Sequence, residues 1–356
     1  MSIRRRLIGI TTAVAIAASA ALSGSPALAS PVTDSKTPKQ PAVRTVTVGS
    51  NPYDVAIAQN LGQAFVVDDG GISVVSLLTH RQIDEFSTGE GHYQNSIALV
   101  RGNTQGYITG NADNRVTVFD TETRTLTGHI PVGYGATDVV KANTPKGQRA
   151  YVITAVESAP QHSGARNQLI AINTTTGKVT ARTALPAEPG ALAVGKGGRS
   201  IWVGDENDGH LWKVSTTTGK ITKTLKPTKA GPVLSMTVAP GGKKLWVTGM
   251  AGIAVVNAKT GKTIKFITAP KVARGYPVLG YLAFNGSGRY AYAVNSVANN
   301  ENGYGQVAAI NTKTYQVAWR VKTGSTPLGI AIDTKRRTAY VPNYDDDTLT
   351  YFTVSR

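Results

Sequence analysis

The stretch Pro240-Gly241-Gly242-Lys243-Lys244-Leu245-Trp246-Val247-Thr248-Gly249 sets a tight basic turn against a short strand that opens on an aromatic residue. The arrangement recurs along the chain. Its strands are Phe65-Val66-Val67, Tyr107-Ile108-Thr109, Tyr151-Val152-Ile153, Trp202-Val203-Gly204, Trp246-Val247-Thr248, Tyr292-Ala293-Val294 and Tyr340-Val341-Pro342, with steps of 42, 44, 51, 44, 46 and 48 residues. Each follows a turn of the kind that joins hairpin strands, such as Gly197-Gly198-Arg199, Gly286-Ser287-Gly288 or Lys335-Arg336-Arg337.

Outward from the aromatic strand, a second alternating strand ends on a small polar residue: Ser76, Asp120, Asn173, Ser215, Asn257, Asn311 and Thr353. Such side chains cap a following turn, and the Thr-Gly-Lys stretches at 176–178, 218–220 and 260–262 complete it. A further strand then leads to the next repeat. Four short strands per repeat, seven times over and without helical periodicity, predict an all-β fold, a seven-bladed β-propeller with four-stranded blades. The last repeat stops after Val354 without its outer strand, while residues 43–48 form an orphan strand at the start. The N-terminal strand is therefore expected to complete the last blade and remove free edges from the ring.

Tyr151-Val152-Ile153-Thr154, Trp246-Val247-Thr248-Gly249, Tyr292-Ala293-Val294-Asn295 and Tyr340-Val341-Pro342-Asn343 resemble the signature of the YVTN-family β-propeller repeat proteins. Val48-Gly49-Ser50-Asn51-Pro52 and Thr323-Gly324-Ser325-Thr326-Pro327 are similar to that family's strand-linking turn. The resemblance spans residues 43–356 and implies an extracytoplasmic binding propeller. Repeats two, four and five depart from the signature at its last two positions, with Gly110-Asn111, Gly204-Asp205 and Gly249-Met250.

The 356 residues carry a net charge of +17, are 41% hydrophobic and 17% charged, and include 38 glycines, the profile of a turn-rich globular chain. Without cysteine there is no disulfide, thiolate metal site, iron–sulfur cluster, covalent haem or cysteine nucleophile. Residues 1–29 read as a secretory signal: Arg4, Arg5 and Arg6, an apolar run over 7–22, and the cleavage site Ala27-Leu28-Ala29. The apolar run is short for a bilayer span, so no transmembrane anchor is expected. Arg4-Arg5-Arg6 also resembles a twin-arginine export signal, and both routes stay open. Residues 30–42 read as a flexible leader and 43–356 as the propeller, which is expected to be secreted and monomeric.

An antiparallel meander sorts its loops to two ends of the ring. Most acidic residues fall at the end built from outer-to-inner and second-to-third-strand loops, whereas Lys243, Lys244, Lys335, Arg336, Arg337 and similar residues fall at the other. The basic end suits an anionic cell-envelope polymer held by a summed field, with a protein partner as the other possibility. An exported chain without aromatics interleaved on that face is not expected to bind nucleic acid. At the acidic end, inner-strand entrances should bring Tyr53, Asp54, His92, Tyr93, Asn95, Asp138, Tyr276 and Tyr281 to the channel mouth, where a sugar, a cation or a hydrated metal could sit. Longer loops over 155–168 and 296–306 enlarge this end. For metal, Asp205 and Asp208 or Asp345 and Asp347 could offer oxygens to calcium, though neither run follows the EF-hand pattern. No H-E-x-x-H, G-x-S-x-G or Walker motif occurs, so no catalytic residue is assigned. Two readings of function follow: a non-enzymatic binding propeller, or a lactonase- or lyase-like enzyme using His92, His162 or Glu301 at the mouth.

Overall fold

The computed structural model describes residues 40–89, 94–110, 114–159, 164–226, 228–268, 276–298 and 304–356. Seven four-stranded antiparallel sheets form the blades of a ring, as the repeat predicts. Blades 1 to 6 cover 54–86, 94–131, 136–184, 189–225, 235–268 and 276–325 in turn, each running from its inner to its outer strand. Blade 7 holds three strands from 331–353, and its outer place is taken by the N-terminal strand Val43–Thr47. That strand pairs with Thr348–Thr353 in the register Val43↔Phe352 to Thr47↔Thr348, and the Val48 N–H donates to the Asp347 carbonyl.

A blade is covered on both faces by its neighbours, so its central strands read as apolar runs rather than as alternations, as Ala64-Phe65-Val66-Val67 shows. The apolar side chains gather into seven clusters, one at each seam between blades. All seven repeat aromatics are buried in these seams. Phe65 of blade 1 meets Phe119 of blade 2 at 5.7 Å between ring centres, and Trp246 of blade 5 meets Phe284 of blade 6 edge-on at 5.7 Å. The period in the sequence is thus the period of the seams.

The polar ends of the third strands cap the outer turns. Asp120, Asn173, Asn257 and Asn311 each accept two backbone N–H groups from the residues two and three ahead, Ser76 does the same through its hydroxyl, and the Ser215 hydroxyl accepts from the residue three ahead. Asn343, the last residue of the Tyr-Val-Pro-Asn stretch, is fully buried. It accepts from the Gly324 N–H and donates to Thr348 and Thr350, tying the end of the outer strand of blade 6 to the third strand of blade 7. Among the described residues no helix is long and apolar enough to cross a membrane.

Inner strands line a central channel with a cavity of about 470 Å³. The first-to-second and third-to-fourth-strand turns of each blade face one end of it, and the second-to-third-strand turns and the loops between blades face the other.

Candidate functional site

The acidic end is built around the inner-strand entrances. Asp54, Ser96 and Asp138 sit at the same register in blades 1, 2 and 3, opposite the residue two places after each repeat aromatic. Ring geometry brings these repeats together at the channel wall. The Ser96 hydroxyl lies 3.1 Å from Asp54 Oδ2 and 3.1 Å from Asp138 Oδ1. Asp54 also accepts from the Val55 N–H at 2.8 Å and from the Ile97 N–H at 3.1 Å, while Asp138 accepts from the Leu192 N–H at 3.0 Å. Each carboxylate therefore fastens its inner strand to that of the next blade. Burial, and then the charge of Asp138, push Asp54 up to about 6 against the pull of its backbone donors.

The other mouth residues are distributed around this group. Tyr281 lines the same channel as Asp54 and Asp138. Tyr53 is buried and meets Tyr344 edge-on at 6.2 Å, so it packs blade 1 against blade 7. The Asn95 amide points to the Ala136 carbonyl at 3.4 Å. Tyr276 begins an inner strand opposite Ala298. His92 and Tyr93 lie outside the described residues, as do His162 and Glu301 of the enzyme reading. Ser96 was not singled out from the sequence, although its place in Gln94-Asn95-Ser96-Ile97 matches that of Asp54 in Pro52-Tyr53-Asp54-Val55.

A second acidic group lies at the turn between the second and third strands of blade 4. Asp205 accepts the Asn207 N–H at 2.9 Å, and Asp208 accepts the His210 Nδ1–H at 2.6 Å. One ligand atom from each of Asp205, Asp208 and His210 falls within 4.8 Å of the others. Two carboxylates with an imidazole make a donor set closer to that of a first-row divalent ion than to the all-oxygen shell of calcium. Burial and the neighbouring Asp208 push Asp205 up to about 6. The run Asp345 to Asp347 is used differently. Asp345 accepts from the Thr326 and Ser325 hydroxyls, Asp346 from the Ser325 N–H at 2.7 Å, and Asp347 from the Asn51 N–H at 2.8 Å, so the three carboxylates hold the loops on either side of blade 7.

Glu188, which the sequence did not single out, is buried in the loop between blades 3 and 4 and accepts the Glu157 N–H at 2.9 Å. Burial, then the charges of Glu157 and Glu206, push it up to about 7. A folded pKa above the unfolded 4.5 means that the folded state holds the proton more tightly. Its contribution is therefore full below that unfolded value and is lost as pH rises through about 7. Between pH 5 and pH 8 the Glu188→Gln variant is expected to lose less stability than the wild type, by about 3 kcal/mol or about 5 °C in melting temperature. Parallel melting profiles for the two proteins would show that Glu188 does not titrate there.

At the opposite end, the five basic residues divide into two sets. Lys243, Lys335 and Arg337 are exposed. Lys244 instead reaches into the seam between blades 5 and 6, where its Nζ donates to the Tyr315 hydroxyl at 2.6 Å and lies 5.1 Å from the ring centre. Arg336 turns back to Asp333, which is fully buried, at 3.0 Å.

No protein-family model matches the chain, and no curated protein matches it. Solved structures do. Kuenenia stuttgartiensis hydrazine synthase superposes with a TM-score of 0.71 at 14% identity, covering 86% of this chain and 96% of that one. The β-propeller domain of Myceliophteria thermophila Cps50 (Swd1) gives 0.68 at 12% identity, covering 88% and 100%. The likeness is one of fold. It fits the seven-bladed ring and assigns neither a ligand nor a reaction.

Proposed function

We propose that this protein is an extracytoplasmic, non-enzymatic binding propeller of the YVTN kind that holds an anionic cell-envelope polymer on its basic end. The observation that carries this reading is the separation of charge between the two ends of the ring. At the acidic end Asp54, Asp68, Asp138, Glu188, Asp205 and Glu206 are all buried. At the basic end Arg81, Lys178, Lys196, Arg199, Lys220, Lys243, Lys259, Lys262, Arg289, Lys313, Lys335 and Arg337 stand exposed on successive turns. A ring of exposed cations with few acids between them produces a field that adds over its charges and attracts a polyanion without a shaped pocket.

Such binding is salt-sensitive, because the screening length falls from about 10 Å at 0.1 M to about 3 Å at 1 M. The protein from Ser30 to Arg356 is expected to sediment with isolated cell envelopes at low salt and to be released near 1 M. Reversal of Lys243, Lys335 and Arg337 to Glu should weaken sedimentation about tenfold, which corresponds to ~1.4 kcal/mol spread over three exposed charges. Sedimentation that neither salt nor the triple reversal alters would sink the reading.

A further inference from the structure

We infer that the seam between blades 3 and 4 is a pocket for one acidic sugar unit, a hydroxylated ring bearing a carboxylate or a phosphate. It deepens the proposed function, and it rests on that reading for the ligand's source, a unit of the polymer, but not for the pocket itself.

The pocket is a local break in the repeat. In every blade one outer-strand residue leans over the seam, from the position paired two places before the partner of the repeat aromatic. The seven are Phe86, Ile130, Thr183, Leu225, Ile267, Val321 and Val46. Only Thr183 is polar. A second filling group comes from the outer turn of the following blade, whose fourth residue is left-handed in six blades. His80 stacks on Tyr351 at 4.2 Å in the seam between blades 7 and 1, Arg124 pairs with Asp84 between blades 1 and 2, and Tyr315 meets Lys244 between blades 5 and 6. Between blades 3 and 4 that residue is Gly219, at φ +69°, where a Cβ would face Thr183 Oγ1 at 3.7 Å. The other two glycine turns face apolar side chains, Gly177 against Ile130 and Gly261 against Leu225. Two small residues thus coincide at one seam and leave a cavity of about 230 Å³. That is the share of roughly eight water molecules and is small for a drug-sized ligand, so it suits a single ring.

Its lining is chemically one-sided. Lys146 and Arg149 stand at the rim, and neither has a carboxylate partner among the described residues. Lys146 Nζ uses one donor on the Thr217 carbonyl at 2.7 Å, and Arg149 Nη1 uses one on the Gln148 carbonyl at 3.0 Å. The remaining N–H groups are free to meet an anion. The Thr183 and Thr180 hydroxyls donate to the carbonyls of Gly219 and Ala171, at 2.6 and 3.2 Å, which leaves their oxygens as acceptors for ligand hydroxyls. An anion at the rim and sugar hydroxyls within satisfy both sets.

Isothermal titration of the protein from Ser30 to Arg356 at low salt would test this with glucuronate, glucose 6-phosphate, inorganic phosphate and glucose. At least one acidic sugar should bind ten times more tightly than glucose or phosphate, and the stronger of the two names the anionic group. Thr183→Leu installs the residue that blade 4 carries at this position; apolar burial offsets the hydrogen bond lost to the Gly219 carbonyl, so it should fold with a melting temperature within about 3 °C of the wild type and lose at least tenfold in affinity. Arg149→Met should lose as much. Failure of every acidic sugar to exceed glucose, phosphate binding as tight as glucose 6-phosphate, or wild-type affinity in Thr183→Leu would each overturn the assignment. The polymer reading fails separately, because the reversal of Lys243, Lys335 and Arg337 leaves this pocket intact while removing charge from the face.

Discussion

A chain that starts at Val48 is expected to melt about 8 °C below the chain that retains Val43–Thr47, and to associate as its concentration rises. The first strand gives blade 7 its outer edge and makes five residue pairings with the strand Thr348–Thr353. Val43 packs on the cluster between blades 6 and 7, and Val46 on that between blades 7 and 1, so one strand serves both seams. Lost ladder bonds at about 1 kcal/mol each, with partial exposure of two valines, amount to about 5 kcal/mol. Spread over the unfolding entropy of a domain this size, that becomes about 8 °C. The freed edge of Thr348–Thr353 would pair with other molecules. A peptide of residues 40–48 added in trans should restore both melting temperature and monomer by strand addition. An unaltered melting temperature with no association would mean that the ring does not depend on this closure.

Arg336→Glu should be the most damaging single reversal on the basic end, at about 4 kcal/mol or about 6 °C, although its neighbours tolerate the same change. Asp333 is fully buried and accepts the backbone N–H groups of Lys335 and Arg336 together with the Arg336 guanidinium. A glutamate at 336 would set a second carboxylate against one that has no access to water. Lys335→Glu and Arg337→Glu place their charge in solvent and should stay within about 0.5 kcal/mol of the wild type. Thermal melts of the three single variants check the contrast. Equal effects at all three positions would show that the Asp333 pair contributes no more than an exposed charge. The contrast also governs any test of envelope binding, since a reversal that includes Arg336 would confuse lost charge with lost fold.

The basic turn Lys335-Arg336-Arg337 illustrates where reading from sequence stops. The sequence places three cations on one turn, and only the fold separates the one held by Asp333 from the two that face solvent. Lys243 and Lys244 divide in the same way, because adjacent residues at a strand entrance point to opposite sides and only Lys244 finds the ring of Tyr315. At the acidic end the sequence nominated Asp54 and Asp138 for the channel wall, where they lie with Tyr281. It did not reveal that Ser96 joins them or that their oxygens fasten one inner strand to the next. His210 likewise completes a group with Asp205 and Asp208 that their own spacing did not announce.

What the sequence determined alone is what repeats. An aromatic every 42 to 51 residues, a turn rich in glycine or basic residues before it and a polar cap after it specify strands, turns and seams locally, so blade number and the closing role of the N-terminal strand follow from pattern. What the tertiary structure decided is what differs between repeats at points that touch. Thr183 and Gly219 are 36 residues apart, and each alone is an unremarkable residue in a strand or a turn. They form a cavity because the ring places the outer strand of one blade over the outer turn of the next. Contacts across a seam depend on the angle between blades and on side-chain reach, which a linear pattern of polar and apolar residues does not encode.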